Sequence, residues 1–271
     1  MTEPWHPGEE RALTARSVVA STLLGVRPPR LPTRQLVGAC ALFGISDGTA
    51  RVAISRMVAA GELAPVDGGY ALTGALLDRS ARQDLSAGAT TRPWSPAAGW
   101  AMAVVVGEGR AASERAALRR AAEALRLAER REGVWLRPDN LPVAALPEAE
   151  AVVAAQCDRF VAHPAGDGAA LAAALWDLDG WAARATRLAA ALDRTRPALD
   201  AGDRTALPEG FVLSAAVLRH LQADPLLPAE LLPAGWPGPA LRAAHGTWRR
   251  SFDHLWAAWA RAPQAEGAPA G

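Results

Sequence analysis

The chain has 271 residues, half of them hydrophobic, and carries 29 basic against 28 acidic side chains for a formal charge of +1. Its length leaves room for two or three small domains. The hydrophobic share excludes a wholly disordered chain, and the near-neutral balance excludes a protein that coats nucleic acid over its whole surface, though not a local basic face. Every basic residue is arginine. With abundant Ala, Gly and Pro, that usage fits a GC-rich bacterial genome and carries no functional weight by itself. The two cysteines, Cys40 and Cys157, sit in apolar patterns, which favours buried free thiols over a disulfide or a metal site. No apolar run approaches the ~20 residues of a membrane span, and no secretion signal opens the sequence. A cytoplasmic protein without membrane association is expected.

In chain order, Leu13, Val19, Ala20, Leu23 and Leu24 predict a first helix over residues 9–24, stopped by Gly25 and Pro28-Pro29. A second helix is predicted from Thr33, as its cap, through Leu42, and Phe43-Gly44-Ile45 forms a turn of the length that joins two helices steeply. The third helix follows at once, with Ser46 or Asp47 as cap. On a helical wheel Ala50, Ile54, Met57 and Val58 take one side. Thr49, Val52, Ser55, Arg56 and Ala59 take the other, with Arg51 at its edge. Gly61 ends the run, and Asp67-Gly68-Gly69 between Leu63–Val66 and Tyr70–Thr73 predicts a hairpin. A helix from Gly74 to about Leu85 closes the unit. Three helices and a hairpin in this order are the outline of a winged helix-turn-helix.

A Ser-, Thr-, Pro- and Gly-rich linker over 86–99 precedes a short apolar strand, Trp100–Val106. Residues 113–132, dense in Ala, Leu, Arg and Glu, predict one long helix supported by opposite charges at three- and four-residue spacing, such as Glu123 and Arg126. Gly133–Pro138 reads as a second strand, 151–161 contains a third, and a helix spans 168–176. This alternation suggests a small ferredoxin-like module. From Leu175 onward the pattern is helical: 182–192, a break over 196–210, then 211–223 and 238–260. Between the last two lies Asp224–Gly238, whose prolines at 225, 228, 233 and 237 make it a rigid connector with buried leucines. The expected class is therefore α+β, with an N-terminal winged helix-turn-helix (9–87), a linker (88–99), a central ferredoxin-like α+β domain (100–174), a C-terminal all-helical domain (175–262) and a disordered tail (263–271).

The candidate site residues are Thr33, Arg34, Ser46, Thr49, Arg51, Ser55 and Arg56. Hydroxyls and guanidinium groups on the outer face of the third helix suit phosphates and base edges, and its small apolar groups suit thymine methyls. Thr33 and Arg34 open the second helix, where backbone N–H groups and the helix dipole favour a phosphate. Each arginine has a plain alternative as a solvated or internally paired side chain, with Arg51 the better suited to that role. The wing lacks arginine, so affinity is expected to draw on Arg27, Arg30 and Arg34. Six of the ten tryptophans fall between Trp176 and Trp259, at spacings that fit core better than a ligand cage. His220 and His245 read as structural. Arg115, Arg119, Arg120 and Arg126 could meet a ligand phosphate but fit a solvated helix face better. No metal set, catalytic triad or phosphate-cradling Gly loop is visible, and no enzyme activity or cofactor is expected.

Three stretches together resemble the PaaX family of bacterial transcriptional regulators: Arg51-Val52-Ala53-Ile54-Ser55-Arg56-Met57 with Gly61, Gly133-Val134-Trp135-Leu136-Arg137-Pro138, and Asp224–Pro233 through Trp236-Pro237-Gly238. The resemblance covers about residues 11–259. It implies a homodimeric repressor of a catabolic operon that binds double-stranded DNA and is released by a small effector such as an acyl-coenzyme A thioester. The competing classes are a metal-dependent nucleic-acid hydrolase built on the ferredoxin-like domain and an interaction module that no longer binds DNA. A hydrolase needs a carboxylate pair around a divalent ion, and Val106-Gly107-Glu108 offers no aspartate at the end of the first strand.

Overall fold

The computed structural model describes residues 5–9, 13–107, 109–142 and 146–262. It is a mixed helix and sheet protein with two small antiparallel sheets. The chain divides into two compact units, one formed by 1–87, 183–222 and 237–271, the other by 88–182 and 223–236.

The first unit begins with helix α1, Ala15–Leu24. The helix expected from residue 9 starts later because the Thr14 side chain accepts from the Ser17 amide while the Ser17 side chain accepts from the Thr14 amide, a reciprocal cap that fixes the first turn. Pro7–Glu9 is a separate 3-10 turn. Strand β1, Arg30–Pro32, is a strand the sequence pattern misses, and α2 spans Thr33–Ala41. Pro32, not Thr33, takes the cap position of α2, without a side-chain cap bond. Helix α3 covers Asp47–Ala59, and β2 (Leu63–Val66) and β3 (Gly69–Leu72) form the expected hairpin. The sheet order is β1-β3-β2. β1 approaches so closely that a Cβ on Gly69 would lie 2.0 Å from the Leu31 carbonyl oxygen. Helix α4, Gly74–Gly88, runs into the stretch expected to be linker.

In the second unit β4 (Trp100–Val105), α5 (Ala112–Ala124), β5 (Ala128–Arg131), β6 (Val134–Pro138), α6 (Pro147–Gln156) and β7 (Cys157–Ala162) build a sheet of order β5-β6-β4-β7. Two expectations are corrected here. The long helix over 113–132 ends at Ala124, where Arg126 turns left-handed at φ 56°, and 128–131 pairs with β6 instead. Cross-strand pairing outweighs the local helical preference, and Glu129, Arg130 and Arg131 are exposed on an edge strand. The third strand lies only at the end of 151–161, because α6 runs to Gln156. Alternation along the strands feeds two cores. Ala103 and Trp135 pack with Leu118 of α5, Leu125 just past its end and Val153 of α6, while Trp100 and Leu136 pack with Ala172, Leu178, Leu227 and Leu231.

Helix α7, Gly168–Leu175, precedes α8, Leu178–Asp200, which continues through Pro197 although a break was expected from residue 196. A proline this close to a helix C-terminus removes a single hydrogen bond. Helices α9, Leu207–Gln222, and α10, Gly238–Arg261, complete the first unit. The expected disordered tail and Glu108 lie outside the described residues. No helix among those described is long and apolar enough to cross a membrane.

Candidate nucleic-acid interface

Helix α3 is built as its sequence dictates. Ser46 caps it, its Oγ accepting from the Thr49 amide at 3.3 Å and lying 2.9 Å from the Thr49 Oγ1. Ala50, Ile54 and Met57 are buried to 1 % exposure or less and pin one side of the helix to the rest of the unit. The opposite side is open: Thr49, Val52, Ser55, Arg56 and Ala59 are all exposed. Val52 keeps 51 % of its surface in solvent.

The two arginines of the helix differ. The Nε of Arg51 donates to Asp47 Oδ1 at 2.5 Å, and its Nη2 approaches Asp47 Oδ2 at 3.3 Å, one turn earlier. This bond and the charge of Asp47 raise the Arg51 pKa, with a smaller contribution from Tyr70. The internally paired alternative therefore describes Arg51. Arg56 has no ion-pair partner among the described residues and is exposed.

Thr33 and Arg34 stand beside the hairpin turn, because the Thr33 amide donates to the Gly68 carbonyl at 3.2 Å. That amide is consequently not available to a phosphate. Arg34 and Arg30 are exposed. Arg27 is not available as expected: its Nε donates to both oxygens of Asp84 at 3.0–3.1 Å, and its Nη1 donates to the carbonyls of Leu24 and Val26.

The sequence reading missed what lies next to α3. An open groove of about 410 Å³ is lined by Thr14, Arg16, Thr49, Val52, Arg56 and Glu62. At its edge Arg16 forms a two-bond ion pair with Glu62, its Nε at 2.9 Å from Oε2. Forty-six residues separate the partners, and no local pattern marks them. The arginines expected on the central helix divide as well. Arg115, Arg119 and Arg120 are exposed on α5, whereas Arg126 is off the helix and donates from Nη1 to the Asp224 carbonyl.

A second cavity, of about 60 Å³, opens among Gly25, Gln83, Phe211, Ser214, Arg249 and Trp256. Arg249 is already engaged there, with Asp253 at 2.7 Å, Ser214 Oγ at 3.5 Å and the Gly25 carbonyl. The tryptophans pack on one another and on phenylalanines: Trp181 stacks on Trp236 at 4.5 Å, and Trp248, Phe252 and Trp256 form a continuous row. His220 and His245 are buried. Among the described residues no three His, Cys, Asp or Glu side chains converge as a metal site would require.

Residues 14–76 match the family model described as PaaX-like protein, and 176–262 match that of the PaaX-like protein C-terminal domain. The chain is also similar to a solved structure described as uncharacterized protein Rv0674 from Mycobacterium tuberculosis, with 42 % identity, 91 % of this chain and 99 % of that one covered, and a TM-score of 0.67. No curated protein matches the chain.

Proposed function

Because this chain belongs to the PaaX-like family, we propose that it is a sequence-specific DNA-binding transcriptional regulator, a repressor acting as a homodimer. In this reading α1 to β3 form a winged helix-turn-helix, and the βαββαβ order of the second unit is that of a ferredoxin-like module. α3 enters the major groove. The observation that carries the reading is the outer side of α3, where Arg56, Ser55, Thr49 and Val52 are exposed together, opposite the buried Ala50, Ile54 and Met57. Arg56 and Ser55 supply donors for phosphate or base edges, Val52 a methyl surface for thymine. Arg51, held by Asp47, lies on the same helix, and Arg34 is exposed on α2 next to the residue that bonds the hairpin turn. A small effector of acyl-coenzyme A thioester type, as in the family, releases the DNA by binding one arrangement of the two heads better than the other.

Footprinting over the DNA upstream of the protein's own coding region tests the proposal. Wild type gives salt-sensitive protection of two half-sites about one helical turn apart. Arg56→Ala weakens it by about 1–3 kcal/mol, roughly five- to 150-fold in Kd. Absence of protection at every concentration tested overturns the reading.

A further inference from the structure

Arg16, in the first turn of α1, is 57 % exposed at its side chain and spends its guanidinium fork on Glu62. The partner does little for the fold. The turn that carries Glu62 is already closed by backbone bonds, Gly61 N–H to the Val58 carbonyl at 3.0 Å, Glu62 N–H to Met57 at 2.9 Å, and Thr73 N–H to the Glu62 carbonyl at 2.9 Å. The Thr73 hydroxyl adds a bond to the Gly61 carbonyl at 3.0 Å. The Glu62 side chain is 21 % exposed, and an ion pair open to water at its arginine end contributes little stability. The pair nevertheless stands on the rim of the groove that Arg56 and Thr49 also line. Two guanidinium groups from different helices thus border one open depression, and one of them is covered by a carboxylate.

We propose that Arg16 is a phosphodiester-binding residue of the DNA interface and that Glu62 is a guard which occupies it in the free protein. A phosphate presents paired oxygens to the same parallel N–H groups that a carboxylate uses. On binding, the DNA phosphate replaces Glu62 on the fork; no proton moves, and the Glu62 carboxylate returns to solvent. The two sequence-distant residues thereby set affinity with opposite signs. The inference rests on the DNA-binding reading above.

The test uses the full chain and the DNA fragment protected in the footprint, with Kd measured against salt concentration. Arg16→Gln weakens binding roughly tenfold on specific and random duplex alike and lowers the salt slope by about one. Arg16→Lys keeps the slope, since its charge still neutralises a phosphate, but loses the two-pronged bond. Glu62→Gln tightens binding several-fold, and the gain shrinks in the Arg16→Gln background. Melting temperatures of all variants identify any that fail to fold. If Arg16→Gln leaves Kd and slope unchanged while Arg56→Ala weakens binding, the guard is overturned and the DNA reading stands. If Glu62→Gln weakens binding in a folded protein, Glu62 is a positioning strut and the proposal is again overturned. A wild type that binds no duplex overturns both.

Discussion

Arg137 shows how much one residue can do without any sign of it in the local pattern. The stretch Gly133–Pro138 is legible as a strand, but nothing in it says that its arginine is 3 % exposed. Burial pushes the guanidinium down to about 9, and the charge of Arg126 adds to the effect. Its hydrogen bonds run to the carbonyls of Leu125, Pro138 and Leu226 and, at 2.6 Å, to the Asn140 Oδ1. Asn140 in turn donates to the Leu226 carbonyl at 2.9 Å, and Arg126 reaches the carbonyl of Asp224. The Asp-Pro-Leu-Leu-Pro segment is therefore fastened through its backbone by three polar side chains. Arg137→Met keeps the length but leaves buried carbonyls unpaired, so it should destabilise the protein by about 2–4 kcal/mol. Urea unfolding checks this, and an unchanged midpoint would contradict the account.

Among the elements, α3 was the most legible, because its cap, its apolar side and its polar side are all local properties of Ser46 and the thirteen residues after it. Val58 is the exception on the inner side, being only half-buried. Ser46 was expected among the DNA contacts, and the structure also makes it the cap. Ser46→Ala should lower stability by about 1 kcal/mol, and Ser46→Asp should retain it. A melting temperature unaltered in Ser46→Ala would leave the cap without energetic weight. The stretch after α5 was misread for the opposite reason. Glu123 and Arg126 have helical spacing, but β6 supplies a hydrogen-bonding edge to 128–131 that no window of sequence contains. β1 escaped notice likewise, since its three residues become a strand only against β3.

At the scale of the whole molecule, the last helices of the chain belong to the same compact unit as its first four. Inside that unit Phe43 meets Phe211 at 5.3 Å, and Arg249 of α10 caps the Gly25 carbonyl. His245 of α10 lies in this interior, 3.4 Å from Ser214 Oγ of α9. Burial, reinforced by Arg249, lowers its pKa from the ordinary 6.5 to about 4. As pH falls from 6.5 towards 4 the unfolded chain takes up this proton and the folded one does not. Stability present above pH 6.5 is therefore lost across that window, by ~3 kcal/mol at most. His245→Gln should flatten that part of the dependence of Tm on pH relative to wild type. Parallel profiles for the two proteins would show that His245 is not its source.

What the sequence determined alone is what each segment settles with its neighbours: the capped third helix and its two sides, the hairpin, most strands of the second sheet and the helices of the last third. The family resemblance was legible too, because short motifs survive as strings of residues. Tertiary structure alone decided which surfaces those segments face. It turned 128–131 into a strand, buried Arg137 against a carbonyl 89 residues away, and set Arg16 on Glu62 beside the open side of α3. The reason is physical: periodicity reports the side an element must hide, whereas a distant carbonyl or carboxylate acquires its partner only when chain closure brings the two together.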